Sequence, residues 1–289
     1  MLTLGGFGFL LACVFGSFVA SGGALGPLIE SMPFELLTIL GAAIGTFIMA
    51  NSMHDVKHTL AGFGLILKGE QHKKTDYTEL LSLLYWFTRL ANQRGAMALE
   101  PHIEKPEESS AFKHFPKILK SHHTTNLICD YLRMIGMNAD DPHQIEDIMA
   151  RELKKTLNEE LHGSHAIQSM ADALPALGIV AAVLGVIKTM GHINEPPAVL
   201  GEMIGGALVG TFLGVLMAYG MAAPCAARMK GIVEADSKYF EVIRAVLVAH
   251  LHGNAPQVSV ETGRKMVPNQ HMPSFSELES SLQSLQIPS

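Results

Sequence analysis

The stretch DALPALGIVAAVLGVIKTMG, residues 172–191, decides how the rest of the chain is read. Its one acid, Asp172, opens it, and its one base, Lys188, lies near its end; everything between them is apolar or small. A helix of about 20 residues crosses the ~30 Å of a bilayer's hydrocarbon, so this segment reads as a membrane span. Three similar runs cover residues 2–20, 33–51 and 199–224. The chain is 48% hydrophobic and only 17% charged, against about 25% charge in a soluble domain. Its 289 residues therefore predict an all-α membrane protein with four transmembrane helices rather than one or two soluble domains. The first run has no basic residue before it and no clear cleavage site followed by a soluble domain, so it reads as a retained span rather than a secretory leader.

Basic residues orient the spans. Residues 1–51 hold no Lys or Arg, residues 52–171 hold 14 and residues 225–289 hold 6; Lys188 completes the 21. Lys and Arg are kept on the cytoplasmic side of spans. Both basic segments and both termini are then inside a bacterial inner membrane, and 21–32 and 192–198 are short external connections. The expected division is 1–51 (the first two spans), 52–171 (a large helical cytoplasmic domain), 172–224 (spans three and four, lining an ion path) and 225–289 (a cytoplasmic helix extension and tail). Cys13, Cys129 and Cys225 have no motif spacing, and none is placed for an extracellular disulfide. The net charge of -6 gives no sign of nucleic-acid binding.

The insert reads as mostly helical. In 75–100, Thr75 or Asp76 is a plausible N-cap, and Leu80, Leu81, Leu84, Phe87 and Leu90 recur at the helical period. In 105–137, Pro106 stands near a helix start and Pro116 at a break or restart. Asp141 before Pro142 is a helix-start signal, and no breaker follows until Gly163, so this helix is expected to run directly into span three. Residues 228–253 continue span four out of the membrane, to Gly253. The tail beyond is richer in Pro and Ser, with one short helical candidate at 274–285.

An ion path needs polar groups near the bilayer midplane, where ionisable residues are rare and usually functional. Glu35 and Glu202 read as lying at the outer interface, Asp172 at the inner end of span three and Lys188 near its outer end. The middle of all four spans is then without an acid, a base or a histidine, and a proton moved here would ride on a carboxylate of another protein. Gly178, Ala181, Ala182 and Gly185 of span three, and Gly201, Gly205, Gly206, Ala207, Gly210 and Gly214 of span four, allow backbones to approach closely. They serve either a partner helix or the contact of the two spans with each other. Thr211 is the most central polar residue of span four; most such threonines bond their own helix backbone. Pro175 and Pro224 stand at matched depth at the cytoplasmic ends of spans three and four, as a hinge pair or as a plain helix start and a bend.

The quoted stretch, together with LVGTFLGVLMAYGMAAP (208–224), GNAPQVSVETGRK (253–265), LLSLLYWFTRLANQRGAMALE (80–100) and PSFSELE (273–279), resembles the flagellar stator subunits of the MotA/TolQ/ExbB proton channel family. The likeness covers nearly the whole length. It implies a homo-pentameric ring around a single-span MotB-type partner that carries the proton-binding aspartate, with the ring driving the rotor protein FliG. It also implies that Pro175 and Pro224 couple ion flow to movement, that Thr211 lines the ion path and that Asp172 is the acid just before the first proline. Glu100 takes the place of the acid that faces FliG. The family's arginine position falls on Asn92, with Arg89 and Arg94 on either side of it. Sodium-type relatives carry a threonine seven residues after the span-three proline. Ala182 stands there instead, which removes an oxygen ligand for Na⁺ and favours H⁺, with no cofactor.

Two other readings compete. ExbB/TolQ-like energisers of envelope processes typically have fewer spans and a differently placed insert. A non-conducting membrane scaffold would not need paired prolines beside glycine-rich spans. His54 and His58, and the His122–His123 pair, lack the accompanying carboxylate or cysteine pattern of a metal site. No nucleotide-binding loop or nucleophile motif marks the chain as an enzyme.

Overall fold

The computed structural model describes residues 2–137 and 142–285. Among these no strand occurs. The helices are α1 (Leu2–Ala20), α2 (Gly26–Ala50), α3 (Met53–Lys68), α4 (Lys74–Arg94), α5 (Glu100–Glu104), α6 (Ser110–His114), α7 (Pro116–Lys120), α8 (His122–Gly136), α9 (Pro142–Met190), α10 (Pro197–Met217), α11 (Ala223–Leu251), α12 (Pro256–Met266) and α13 (Phe275–Gln283). Four of them are long and apolar enough to cross a membrane: α1, α2, α9, and α10 together with its continuation. The chain forms two compact units, one of residues 1–69 and 160–232, the other of 70–159 and 233–289.

The first unit holds the apolar helices. Its core is made largely of small side chains: Ala43, Ala171, Ala181, Ala218 and Ala222 stand among Ile39, Leu174, Val209 and Leu213. α2 lies along α10, and α1 reaches the others through an edge-to-face contact of Phe15 with Phe212, ring centroids 6.0 Å apart. Large side chains stay outside, as a bilayer allows: Leu4, Phe9, Phe34, Leu37, Ile187 and Leu208 are exposed. α2 starts at Gly26, seven residues before the apolar run at 33. Pro27 in the first turn pre-sets the helical φ, while Glu30 and Ser31 interrupt the apolarity that would mark the span. α3 opens on a full capping box, Ser52 receiving the Asp55 N–H and Asp55 accepting from the Ser52 backbone.

The second unit is a packed helical domain around α4. Leu80, Leu81, Leu84, Phe87 and Leu90, the residues of the expected periodic face, are all buried. They meet Ile128, Tyr131 and Leu132 of α8, Val242, Ile243, Val246 and Leu247 of α11, Val260 of α12 and Leu278 of α13. The N-cap of α4 is Lys73, not Thr75 or Asp76; Asp76 works from the third helical position by accepting the Lys73 N–H at 2.8 Å. α4 ends at Arg94 because Gly95 takes a left-handed φ of +82°, which side chains other than glycine rarely adopt. Pro116 restarts a helix at its first turn, whereas Pro106 stands in a turn. Asp141 lies outside the described residues, but α9 starts at Pro142 and runs unbroken to Met190. α13 carries a second capping box, Ser274 with Glu277, and Glu277 binds Lys74 of α4 at 2.8 Å. Arg264 is buried and is held at both ends, by Glu261 at 2.6 and 2.7 Å and by the Pro273 carbonyl at 2.9 Å.

His72 gives this unit a pH signature. Its ring stacks on Tyr239 with centroids 3.8 Å apart, and burial, opposed by nearby Asp76, pushes its pKa from 6.5 down to about 4. The unfolded chain therefore takes up this proton first, and the fold loses stability as pH falls from about 6.5 to about 4, by about 1–2 kcal/mol once partial exposure is allowed for. Melting temperatures of detergent-solubilised protein across that window check it. His72→Phe, which keeps the ring stack, is expected to flatten the acid side of the curve relative to the unaltered chain.

Candidate ion-path and coupling site

α9 and α10 meet backbone to backbone. A Cβ on Gly178 would stand 2.8 Å from the Gly210 carbonyl oxygen and 3.0 Å from the Gly214 Cα. One on Gly185 would stand 2.6 Å from the Ala207 Cβ, and one on Gly214 2.7 Å from the Leu174 carbonyl oxygen. Gly178 and Gly185 thus join spans three and four of the same chain, the second of the two readings that their spacing left open. Gly201 and Gly205 have open space beside them.

The expected coupling residues flank this contact. Pro175 lies inside α9, half-buried, and has no N–H for the Ala171 carbonyl. Pro224 stands exposed at the start of α11, directly after a π-helical turn over Ala218–Ala222. The wider turn takes up the register where Pro224 offers no N–H to the Gly220 carbonyl. Ala171 and Leu174 before the first proline, and Ala218 and Ala222 before the second, belong to one buried cluster. Asp172 is exposed and accepts a 2.8 Å hydrogen bond from Gln168.

Ala182 lies at the contact of the two spans, its nitrogen 3.2 Å from the Cβ position of Gly210; Thr211, the residue after Gly210, is half-buried, as is Ala182. Thr38, Thr46 and Thr189 bond back to their own helices, but among the described residues Thr211 makes no such bond.

In the second unit Arg89, Asn92, Arg94 and Glu100 are all exposed, at the end of α4 and the start of α5. Arg89 is one turn before Asn92 on the same face, and Arg94 falls on another. None of Arg89, Arg94 and Glu100 forms an ion pair among the described residues, and the structure does not bring Glu100 to either arginine.

Two features escaped the sequence reading. Glu35 does not sit at the edge of span two: its Oε2 is 2.6 Å from the Cβ position of Gly210. The signal was Pro27, which starts the helix earlier than hydropathy does. The second is a group able to hold a metal ion, His143 and Glu146 of α9 with His252. His252 Nε2 is 3.5 Å and His143 Nδ1 3.9 Å from one Glu146 oxygen, and Arg244 holds the other at 3.2 Å. Only the i, i+3 spacing of His143 and Glu146 is visible in sequence.

Residues 4–95 match the family model of the motility protein A N-terminal region, and residues 115–242 that of the MotA/TolQ/ExbB proton channel family. Over 288 residues, 100% of this chain and 97% of the relative, the sequence is 38% identical to motility protein A of Escherichia coli. This chain belongs to the motility protein A family. It is also 36% identical to the chemotaxis protein LafT of Vibrio parahaemolyticus, over 93% of this chain and 94% of that one. In fold, this motility protein A relative is similar to the flagellar MotAB stator complex from Bacillus subtilis, with a TM-score of 0.72 and 22% identity over 94% of this chain and 98% of that one.

Proposed function

We propose that this chain is the membrane subunit of a proton-driven flagellar motor stator, and that it turns inward proton flow into torque on the rotor. The full-length 38% identity to a motility protein A carries this reading. The match of residues 4–95 to a model specific to motility protein A favours it over an envelope energiser. Four apolar helices span the inner membrane, with both termini and the second unit in the cytoplasm, as the distribution of Lys and Arg requires. A single-span MotB-type partner supplies the aspartate that carries the proton, and five copies of the chain surround it. Thr211, the residue after Gly210, lines the route. H⁺ is the coupling ion, since Ala182 offers no side-chain oxygen to a partly dehydrated Na⁺. Protonation of the partner's aspartate changes the local charge. α9 and α10 answer together because their backbones are in contact, and Pro175 and Pro224 let both bend where they leave the membrane.

Deletion of the chain from its flagellated host is the test: full-length flagella that do not turn are expected, and normal swimming would overturn the reading.

Arg89, Arg94 and Glu100 are the contacts offered to FliG, with Arg89 standing in for the charge missing at Asn92. Exposed and unpaired, they can be reversed with little effect on stability, within about 0.5 kcal/mol. Glu100→Lys or Arg89→Glu is expected to cost on the order of 1 kcal/mol of rotor contact, about a fivefold loss of engagement. This is read as slower swarm expansion at unchanged membrane abundance. Reversing the facing charge on the rotor should restore it.

A further inference from the structure

The first turns of α9 meet the end of α11 inside the second unit. Ile145 and Met149 of α9 are buried in the same cluster as Val242, Val246 and Leu247 of α11, which fixes the two backbones. Between Ile145 and Met149, Glu146 turns its carboxylate to three basic side chains. Arg244 of α11 holds Oε1 at 3.2 Å. The other oxygen, Oε2, faces His252 Nε2 at 3.5 Å and His143 Nδ1 at 3.9 Å. His143 stands three residues before Glu146 and so shares its face of α9. His252 follows the last residue of α11, its N–H bonded to the Val248 carbonyl at 3.1 Å, before Gly253 turns the chain with a φ of +81°. The two imidazole rings are 5.1 Å apart.

Ion pairing does not account for this convergence. Long contacts between groups this exposed contribute little, and two imidazolium rings beside one oxygen would repel each other. A metal ion does account for it, since it takes both rings in the neutral form. The three ligand atoms lie within 4.8 Å of one another, and theirs is the one such group among the described residues. By contrast, His58 and His162 of the first unit face different carboxylates, Glu160 and Asp55. In a tetrahedral Zn²⁺ site with bonds of about 2.0–2.1 Å, ligand atoms stand about 3.3–3.4 Å apart. The two distances to Glu146 are already close to that, and the exposed His143 side chain has room to swing inward. Arg244 keeps the carboxylate turned toward the rings, as hydrogen-bonded partners of ligating carboxylates do.

We propose that His143, Glu146 and His252 bind one divalent transition-metal ion of the Zn²⁺ type, with water in the fourth position. Two imidazole nitrogens beside one carboxylate select such an ion over Mg²⁺ and Ca²⁺, which take oxygen ligands. The bound ion clips the start of α9 to the end of α11. Every part of the site lies in the second unit, so the proposal does not depend on the stator reading.

The test is a Co²⁺ titration of the full chain in detergent, purified without a polyhistidine tag and followed by visible absorption. Co²⁺ stands in for Zn²⁺, and its absorption bands tell four-coordinate from six-coordinate binding. One four-coordinate Co²⁺ per chain is expected, displaced by Zn²⁺ and not by Mg²⁺. His143→Gln and His252→Gln are each expected to weaken it by about tenfold or more, while His122→Gln, outside the group, leaves it unchanged. Zn²⁺ should also raise the melting temperature of the unaltered chain and not that of His252→Gln, because a ligand that binds only the folded state stabilises it. Failure to bind, six-coordinate Co²⁺ alone, or affinity that survives either histidine substitution overturns the proposal and leaves a surface cluster of charges. If His252→Gln does not fold, His143→Gln in the exposed first turn of α9 decides by the same criterion.

Discussion

Gly178→Val is expected to abolish motility and to leave little of the chain in the membrane. The Cβ it introduces would stand 2.8 Å from the Gly210 carbonyl oxygen and 3.0 Å from the Gly214 Cα, and both are backbone. No rotamer change relieves such a contact; α9 and α10 must move apart. In lipid, helices are not driven together by the hydrophobic effect, and their association depends on close van der Waals contact. Overpacking by even a methylene or two costs about 1–3 kcal/mol, and valine adds three carbons. Separation would also open the contact of Gly214 with the Leu174 carbonyl, 2.7 Å from its Cβ position. Gly64→Ala is the control, because a Cβ there meets nothing within 4 Å. Immunoblots of membranes and swim-plate expansion check both variants; normal abundance and swimming of Gly178→Val would show that the two spans do not meet as described.

Pro175→Ala is expected to do the opposite to stability and the same to motility. Alanine supplies the N–H that α9 lacks toward Ala171 and removes a residue that costs about 3 kcal/mol in a helix interior. The chain should be at least as abundant as before. With the Ala171 hydrogen bond made, α9 is stiffer at this point, and under the proposed function proton flow should then not reach the rotor: full-length flagella, normal stator level, no rotation. Abundance and rotation falling together would mean that Pro175 serves the fold alone.

Much of this was legible in the sequence, for reasons of period and charge. The face of α4 from Leu80 to Leu90 announced itself by helical spacing, and the unbroken run from Pro142 into span three by its lack of a breaker. The prolines stood out by their matched depth and Thr211 by its central place in span four, family likeness implied their roles, and the structure adds their setting: the π turn before Pro224 and, among the described residues, no bond of the Thr211 hydroxyl back to its own helix. Hydropathy misplaced the start of α2 because Glu30, Ser31 and Glu35 lower the local average, although Pro27 sets the helix going. That error put Glu35 at the membrane edge. The glycines were ambiguous in principle, since spacing shows that backbones come close but not which backbones. The cap of α4 went to Lys73 because Asp76 bonds backward from inside the helix, a geometry that composition does not reveal.

The most direct test of the stator reading is to restore rotation. In a host lacking its own stator, this chain and its single-span partner are induced together while a bead on one flagellum is followed. The account predicts speed that rises in equal steps and falls to zero when an uncoupler collapses the proton gradient, whether or not Na⁺ is present. A flagellum that stays still with both proteins in the membrane, or one whose steps survive the uncoupler, would contradict it.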